Sequence, residues 1–276
     1  MKISAIHVVY FSATGNTALV SSRFSDYLGA KLNAPVEKDD FTLPGRRDHE
    51  RQYTENDLVV FAVPTYAGRV PNKVLPFIQT LFHGNGALAI PVVTFGNRSS
   101  DSALPELRNE LEKDGFHAIA AASITCRHAF ADIGTSRPNS QDFDLLKDLA
   151  AKVSSKIEAL ADASSAPHVK IGDEAPVAPY YTPLRTDGQP AKFLKAKPLT
   201  NKKKCNDCGR CAEVCPMGSI SFENTDEVPG ICIKCQACIR ECPQHAKYFD
   251  DPDFLSHKEY LEKNYRRAAE SAVFCI

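Results

Sequence analysis

Apolar positions along the chain fall in short runs that alternate with helically spaced stretches. Residues 3–11, Ile-Ser-Ala-Ile-His-Val-Val-Tyr-Phe, make a β-rich run of the kind a buried strand shows. Val20, Phe24, Leu28 and Leu32 then recur at helical spacing. Residues 57–63 form the next strand run, and Val70-Pro71 opens a helix through Val74, Phe77, Ile78 and Leu81. A strand over 87–95 precedes a helix marked by Leu104, Leu107 and Leu111, which ends near Gly115. A further strand runs from Ile119 to Ile124. The last long helix spans about Ser140 to Ala161, with Phe143, Leu146, Leu149, Val153, Ile157 and Leu160 on one face. These strand runs, alternating with helices, predict an α/β fold, a doubly wound five-stranded parallel sheet of order 2-1-3-4-5.

The character changes at Ser164. Pro167, Pro176, Pro179, Pro183, Pro190 and Pro198 punctuate a stretch with few periodic apolar residues, which reads as a linker. Proline makes it semi-rigid, so it is expected to wrap along a surface. The expected organisation is a first domain over 1–163, a proline-rich linker over 164–199, a small α+β domain over 200–250 and a helical tail over 251–276. The tail helix is expected near Leu255–Glu270, with Phe254, Tyr260, Leu261 and Tyr265 packing it back.

The chain has 276 residues, and 43% of them are hydrophobic, enough for one or two ordinary cores. No apolar run approaches the roughly 20 residues of a membrane span, and the N-terminus lacks the pattern of a signal peptide. A net charge of −1 favours neither nucleic acid nor a membrane surface as partner. Of the ten cysteines, eight lie between 205 and 242, leaving Cys126 and Cys275. No extracellular disulfide pattern remains, and a reducing cytoplasm is the expected location.

Those eight cysteines carry the most specific signal. Cys205-Asn-Asp-Cys208-Gly-Arg-Cys211-Ala-Glu-Val-Cys215-Pro216 is followed by Cys232-Ile-Lys-Cys235-Gln-Ala-Cys238-Ile-Arg-Glu-Cys242-Pro243. This is the bacterial iron–sulfur spacing written twice, in which the fourth cysteine of each run ligates the other cluster. Cluster I is then expected on Cys205, Cys208, Cys211 and Cys242, and cluster II on Cys232, Cys235, Cys238 and Cys215. A shift of 27 residues carries Cys205 onto Cys232, Pro216 onto Pro243 and Phe222 onto Phe249, so the segment is an internal repeat. Structural zinc and disulfides are the competing readings. Zinc usually takes two separated Cys-x-x-Cys knuckles rather than three cysteines in one turn with a crossed fourth. The segment resembles a two-[4Fe–4S] ferredoxin of the clostridial kind.

The first strand ends at Ser12-Ala13-Thr14-Gly15-Asn16-Thr17. A hydroxyl- and glycine-rich turn entering a helix is a phosphate cradle, with backbone N–H groups and the positive helix end facing the anion. The motif has no lysine and is not an ATP-type P-loop; an ordinary N-capped turn is the alternative. It resembles the FMN-phosphate loop of flavodoxins. That resemblance implies that Ser12, Thr14, Gly15, Asn16 and Thr17 hold the FMN phosphate. By the same resemblance, Pro64, Thr65, Tyr66 and Gly68 lie at the loop against the isoalloxazine ring. Thr94, Phe95, Gly96 and Asn97 match the second ring-contacting loop, and Arg98 follows them. Taken alone, Tyr66 reads equally as an ordinary loop tyrosine. Cys126 and His128 suggest thiol chemistry near a flavin, against the alternative of an inert buried thiol. His128 and Arg137 are further candidates for the border of the flavin or the iron–sulfur domain. Lys192, Lys195, Lys197, Lys202, Lys203 and Lys204 read as a solvated rim or as a docking patch for an acidic redox partner.

The whole chain resembles flavodoxin–ferredoxin fusions found mainly in anaerobes. The resemblance implies an electron-transfer protein that relays electrons between two [4Fe–4S] clusters and FMN and exchanges them with an external protein redox partner. Clusters move one electron at a time, whereas FMN takes two. Two alternatives stay open: a flavin-dependent reductase of a quinone, nitro compound or disulfide, and a dedicated donor subunit docking to a larger reductase. No Gly-x-Gly-x-x-Gly motif marks NAD(P)H as direct donor. Direction of flow and oligomeric state, a homodimer included, are left open.

Overall fold

The computed structural model describes residues 1–171 and 176–276. Its first part runs β1 (Ala5–Tyr10), α1 (Asn16–Leu32), β2 (Val36–Asp40), β3 (Asp57–Pro64), α2 (Leu75–Leu81), β4 (Leu88–Phe95), α3 (Ala103–Lys113), β5 (Ala120–Thr125) and α4 (Ser140–Ala159). These five strands are parallel and lie in the order β2-β1-β3-β4-β5, the flavodoxin-like arrangement expected. Along β3, Leu58, Val60 and Ala62 face one core, shared with Val20, Phe24 and Leu28 of α1 and Leu146 and Val153 of α4. Val59, Phe61 and Val63 face the other, with Ile78 of α2 and Leu104 and Leu107 of α3. Helices on both faces are why β3 and β4 read as unbroken apolar runs. The edge strand β2, Val-Glu-Lys-Asp-Asp, has no buried residue and therefore gave no apolar signal.

The cysteine-rich part contains two one-turn helices, α5 (Arg210–Glu213) and α6 (Ala237–Arg240). A two-residue ladder beside them pairs Leu199–Thr200 with Lys247–Tyr248. The chain then enters α7 (Pro252–Asn264), capped by Asp251, whose side chain accepts from the Phe254 N–H at 2.9 Å.

The tail departs from the expected helix to Glu270. It stops at Asn264, continues without regular structure, and ends as β6 (Ala272–Cys275), antiparallel to β5 with Ala272 opposite Ser123 and Cys275 opposite Ala120. Two polar side chains, Asn97 buried and Arg137 half-buried, hold this course. Asn97, 2% exposed, donates from Nδ2 to Tyr265 O (2.7 Å) and Arg267 O (3.1 Å) and accepts from Ala269 N (3.0 Å). Arg137, paired with Asp142 at 2.6 Å, donates to Ala269 O at 2.8 Å. β6 thereby covers β5, which would otherwise be an open sheet edge.

The proline-rich linker wraps rather than swings. Val169 N bonds to Ala118 O and Tyr181 N to Ala67 O, each at 2.8 Å. Arg69 and Arg98 lie over the rings of Tyr180 and Tyr181, 4.8 and 4.0 Å from their centroids. Among the described residues, no helix is long and apolar enough to cross a membrane.

Replacing Asn97 by alanine leaves two tail carbonyls without their donor. We expect a loss of about 1–3 kcal/mol in urea unfolding, with faster proteolysis between residues 265 and 271. Unchanged unfolding and cleavage would contradict the clamp.

Candidate cofactor sites

The two cysteine runs fold as copies of each other in fine detail. Asp207 (φ 55°) corresponds to Lys234 (57°), Gly209 (75°) to Gln236 (70°), and Gly218 (57°) to His245 (48°), each pair 27 residues apart and left-handed. The left-handed turn aims backbone donors at sulfur. Asp207 N lies 3.4 Å from Cys205 Sγ and Lys234 N 3.4 Å from Cys232 Sγ; Ser219 N and Ala246 N lie 3.3 Å from Cys215 Sγ and Cys242 Sγ. Such N–H···S bonds stabilise thiolates and help set cluster potentials.

The eight sulfurs divide into two groups. Cys205, Cys208, Cys211 and Cys242 rim one small cavity, and Cys215, Cys232, Cys235 and Cys238 rim another. The structure thus brings the sulfurs together in the two sets that the spacing groups. In each group the thiols surround a void, and among the described residues no group of three or more His, Cys, Asp or Glu side chains is arranged for a single metal ion. Burial raises the Cys235 thiol to about 12, so this sulfur needs a metal to hold it as thiolate. The second cavity is apolar, walled by Met217, Ile220, Val228 and Phe249. The first opens towards solvent at the exposed Cys208.

At the C-terminal ends of the parallel strands lies a much larger cavity of about 580 Å³, within the range of cofactor pockets. Nine of the expected flavin residues line it: Thr14, Asn16, Thr17, Pro64, Thr65, Tyr66, Thr94, Phe95 and Gly96. Gly15, at φ 88°, starts α1 with no side-chain cap, and a Cβ there would meet open space. The positive end of a 17-residue helix thus faces the cavity. Thr65 Oγ1 is buried without a hydrogen-bond partner, a group that the polar edge of a flavin ring would satisfy. The residues present therefore fit a bound FMN.

Four expected residues do not line the cavity. Ser12 holds the turn, its Oγ accepting from Ala18 N at 3.0 Å. Gly15 shapes the backbone, Gly68 packs against Asp101, and Asn97 has its side chain engaged by the tail. Arg137 likewise serves the tail. Cys126 is on the wall, but burial pushes its thiol far up and leaves it a poor nucleophile.

His128 is better placed. Gly96 has no Cβ, and one there would lie 2.4 Å from the imidazole. Its Nδ1 accepts from Phe130 N (3.3 Å) and Ala131 N (3.1 Å), which puts the ring proton on Nε2. Burial first, then the charges of His257, Arg240 and Arg98, push its pKa down to about 3. The remaining wall comes from segments that sequence reasoning did not assign to this site. They are Tyr180, Tyr181 and Phe193 of the linker, His257 and Leu261 of α7, and residues 231–234 between the cysteine runs. The adjacent Tyr180–Tyr181 and Phe193–Leu194 pairs in the linker were the available signals.

The two sites share residues. Cys232 lines both the large cavity and the second sulfur-rimmed cavity, as do Ile231, Ile233 and Lys234. The Tyr66 phenol is pushed well up by burial first and then by the sulfurs of Cys235 and Cys232, so it stands at the same boundary. Arg240 of α6 fastens this boundary by donating to His128 O (2.8 Å) and Ala129 O (2.9 Å), and Arg47 donates to Pro216 O (2.9 Å).

Known proteins resemble the chain in two blocks. A 4Fe-4S binding domain model matches residues 197–220. A ferredoxin of Alicyclobacillus acidocaldarius subsp. acidocaldarius is 39% identical over 75 residues, covering 26% of this chain and 90% of that protein. A 7Fe ferredoxin of Hydrogenibacillus schlegelii is 40% identical over 57 residues, covering 20% of this chain and 72% of that protein. A solved flavodoxin from the domain Archaea overlaps 56% of this chain and 99% of its own, at 16% identity and a TM-score of 0.42; the strand order, not that overlap, defines the fold here. Over its cysteine-rich segment the chain belongs to the ferredoxin family. It joins that domain to a flavodoxin-like one and is thus a flavodoxin–ferredoxin fusion, an iron–sulfur electron-transfer protein.

The state of His128 sets a pH effect. Its folded pKa lies below the unfolded value of about 6.5, so the unfolded chain binds the extra proton and stability falls as pH drops through that value. Wild type should lose about 1.4 kcal/mol relative to His128→Gln between pH 8 and 5.5, read as a shift in urea midpoint under anaerobic conditions. Parallel pH profiles would show that His128 protonates freely.

Proposed function

We propose that the protein is an intramolecular electron relay carrying one FMN and two [4Fe–4S] clusters. Thr14, Asn16 and Thr17 hold the phosphate at the start of α1, and Thr65, Tyr66 and Thr94–Gly96 hold the ring. Cys205, Cys208, Cys211 and Cys242 take cluster I; Cys232, Cys235, Cys238 and Cys215 take cluster II. When bound, the flavin supplies two-electron capacity beside one-electron centres.

The observation that carries this reading is the shared wall at Cys232. With the cofactors assigned in this way, that wall supports an arrangement with cluster II beside the flavin and cluster I on the far side, near solvent at the exposed Cys208. The order is therefore external protein partner, cluster I, cluster II, flavin, travelled in whichever direction the potentials set. The chain's own residues keep the distances short and water out. Arg240 and Arg47 lock the halves together, and Phe249, Met217 and Ile220 keep cluster II in an apolar shell. Linkage in one chain makes the exchange independent of encounter.

Anaerobically purified protein should contain about one FMN and about eight irons per chain; stoichiometric zinc would overturn the assignment. In stopped-flow reduction, cluster and flavin bleaching should occur in coupled phases whose rates do not change with protein concentration. Arg240→Ala should slow the coupled phase while leaving iron and FMN content intact. Coupling that scales with protein concentration would contradict the relay.

A further inference from the structure

The cavity extends past the loops assigned to the flavin. Its other end is an aromatic wall assembled from three separate segments: Phe130 after β5, Phe193 of the linker and His257 of α7. The Phe193 ring and the His257 imidazole stack at 5.6 Å and 25°, and Phe130 stands at 89° to His128 with centroids 4.4 Å apart. The two histidines present opposite faculties. His128 Nδ1 accepts two backbone N–H groups and leaves Nε2–H as a donor. His257 Nδ1 lies 2.9 Å from Leu184 O and must donate to it, which leaves Nε2 as an acceptor. Both residues line the cavity, and burial holds both rings neutral.

We propose that this compartment binds a small planar quinone against the Phe130–Phe193–His257 wall, with one carbonyl oxygen accepting from His128 Nε2–H. The proposal rests on the reading that FMN occupies the strand-end loops and adds a ligand beside it. A flat, weakly polar ring suits an aromatic wall. A para-quinone carries oxygens at opposite ends: one accepts from the His128 donor, and in the two-electron, two-proton reduced hydroquinone the other is a hydroxyl that can donate to the His257 acceptor. A nitro group places both oxygens at one end. A disulfide would need a reactive thiol, and Cys126 is 2% exposed and held protonated. Asn72 and Lys73, both exposed, line the same cavity and give a route from solvent.

The test titrates the oxidised, FMN- and cluster-loaded protein with 1,4-naphthoquinone and follows the flavin absorbance band. A saturable change at one quinone per chain is expected. His128→Gln keeps an N–H donor and should bind within about threefold of wild type, whereas His128→Leu should weaken binding about tenfold, the scale of one lost hydrogen bond. Phe193→Ala removes part of the wall without touching the donor and should weaken binding as well. Released flavin and melting temperature are measured for every sample. Wild-type protein with full FMN and no spectral change on adding naphthoquinone overturns the proposal, as does equal binding by all three variants. Wild-type protein that holds no FMN overturns the relay reading instead.

Discussion

Residues 231–234 are the stretch of backbone on which both halves of the molecule depend. They open the second cysteine run and rim the sulfur-lined cavity there, yet the same residues also line the cavity at the strand ends. Lys234 takes a left-handed conformation to aim its N–H at Cys232 Sγ and sends its side chain back to Cys232 O and Leu194 O. One short loop therefore meets the geometric demands of a sulfur-lined site, a domain boundary and a large cavity. Any shift in it changes all three together.

The rest of the architecture holds that loop in place. The parallel sheet presents Pro64–Tyr66 and Thr94–Gly96 on one side of the cavity because its strands all end there. The linker lies across the opening through backbone and cation–π contacts, and α7 brings His257 to it. The tail returns to the sheet as β6, so a chain that leaves the first domain at residue 164 ends by completing it. The linker on the way out and the tail on the way back both bond to the first domain, so the boundary is pinned by several segments rather than by a hinge.

Much of this was legible in the sequence. The cysteine spacing specified the crossed sulfur groups because each run carries its own local turn geometry, and the apolar runs specified the doubly buried strands. Other features left no local trace. β2 is a polar edge strand whose place follows from pairing with β1. β6 owes its existence to Asn97 and Arg137, distant in sequence, and its own residues read as an extension of a polar helix. Asn97 matched a flavin-loop position, but its polar atoms are taken by the tail. The aromatic wall joins Phe130, Phe193 and His257 from three segments distant in sequence, which no periodicity records.

The central claim is that cluster II, not cluster I, stands next to the flavin, across the wall at Cys232. Diffraction at the iron absorption edge from crystals of the fully loaded protein tests it most directly. The account predicts flavin density against the Thr65–Tyr66 and Thr94–Gly96 loops, with the nearer iron cluster ligated by Cys215, Cys232, Cys235 and Cys238. Flavin density elsewhere, or a nearer cluster held by Cys205, Cys208, Cys211 and Cys242, would contradict it.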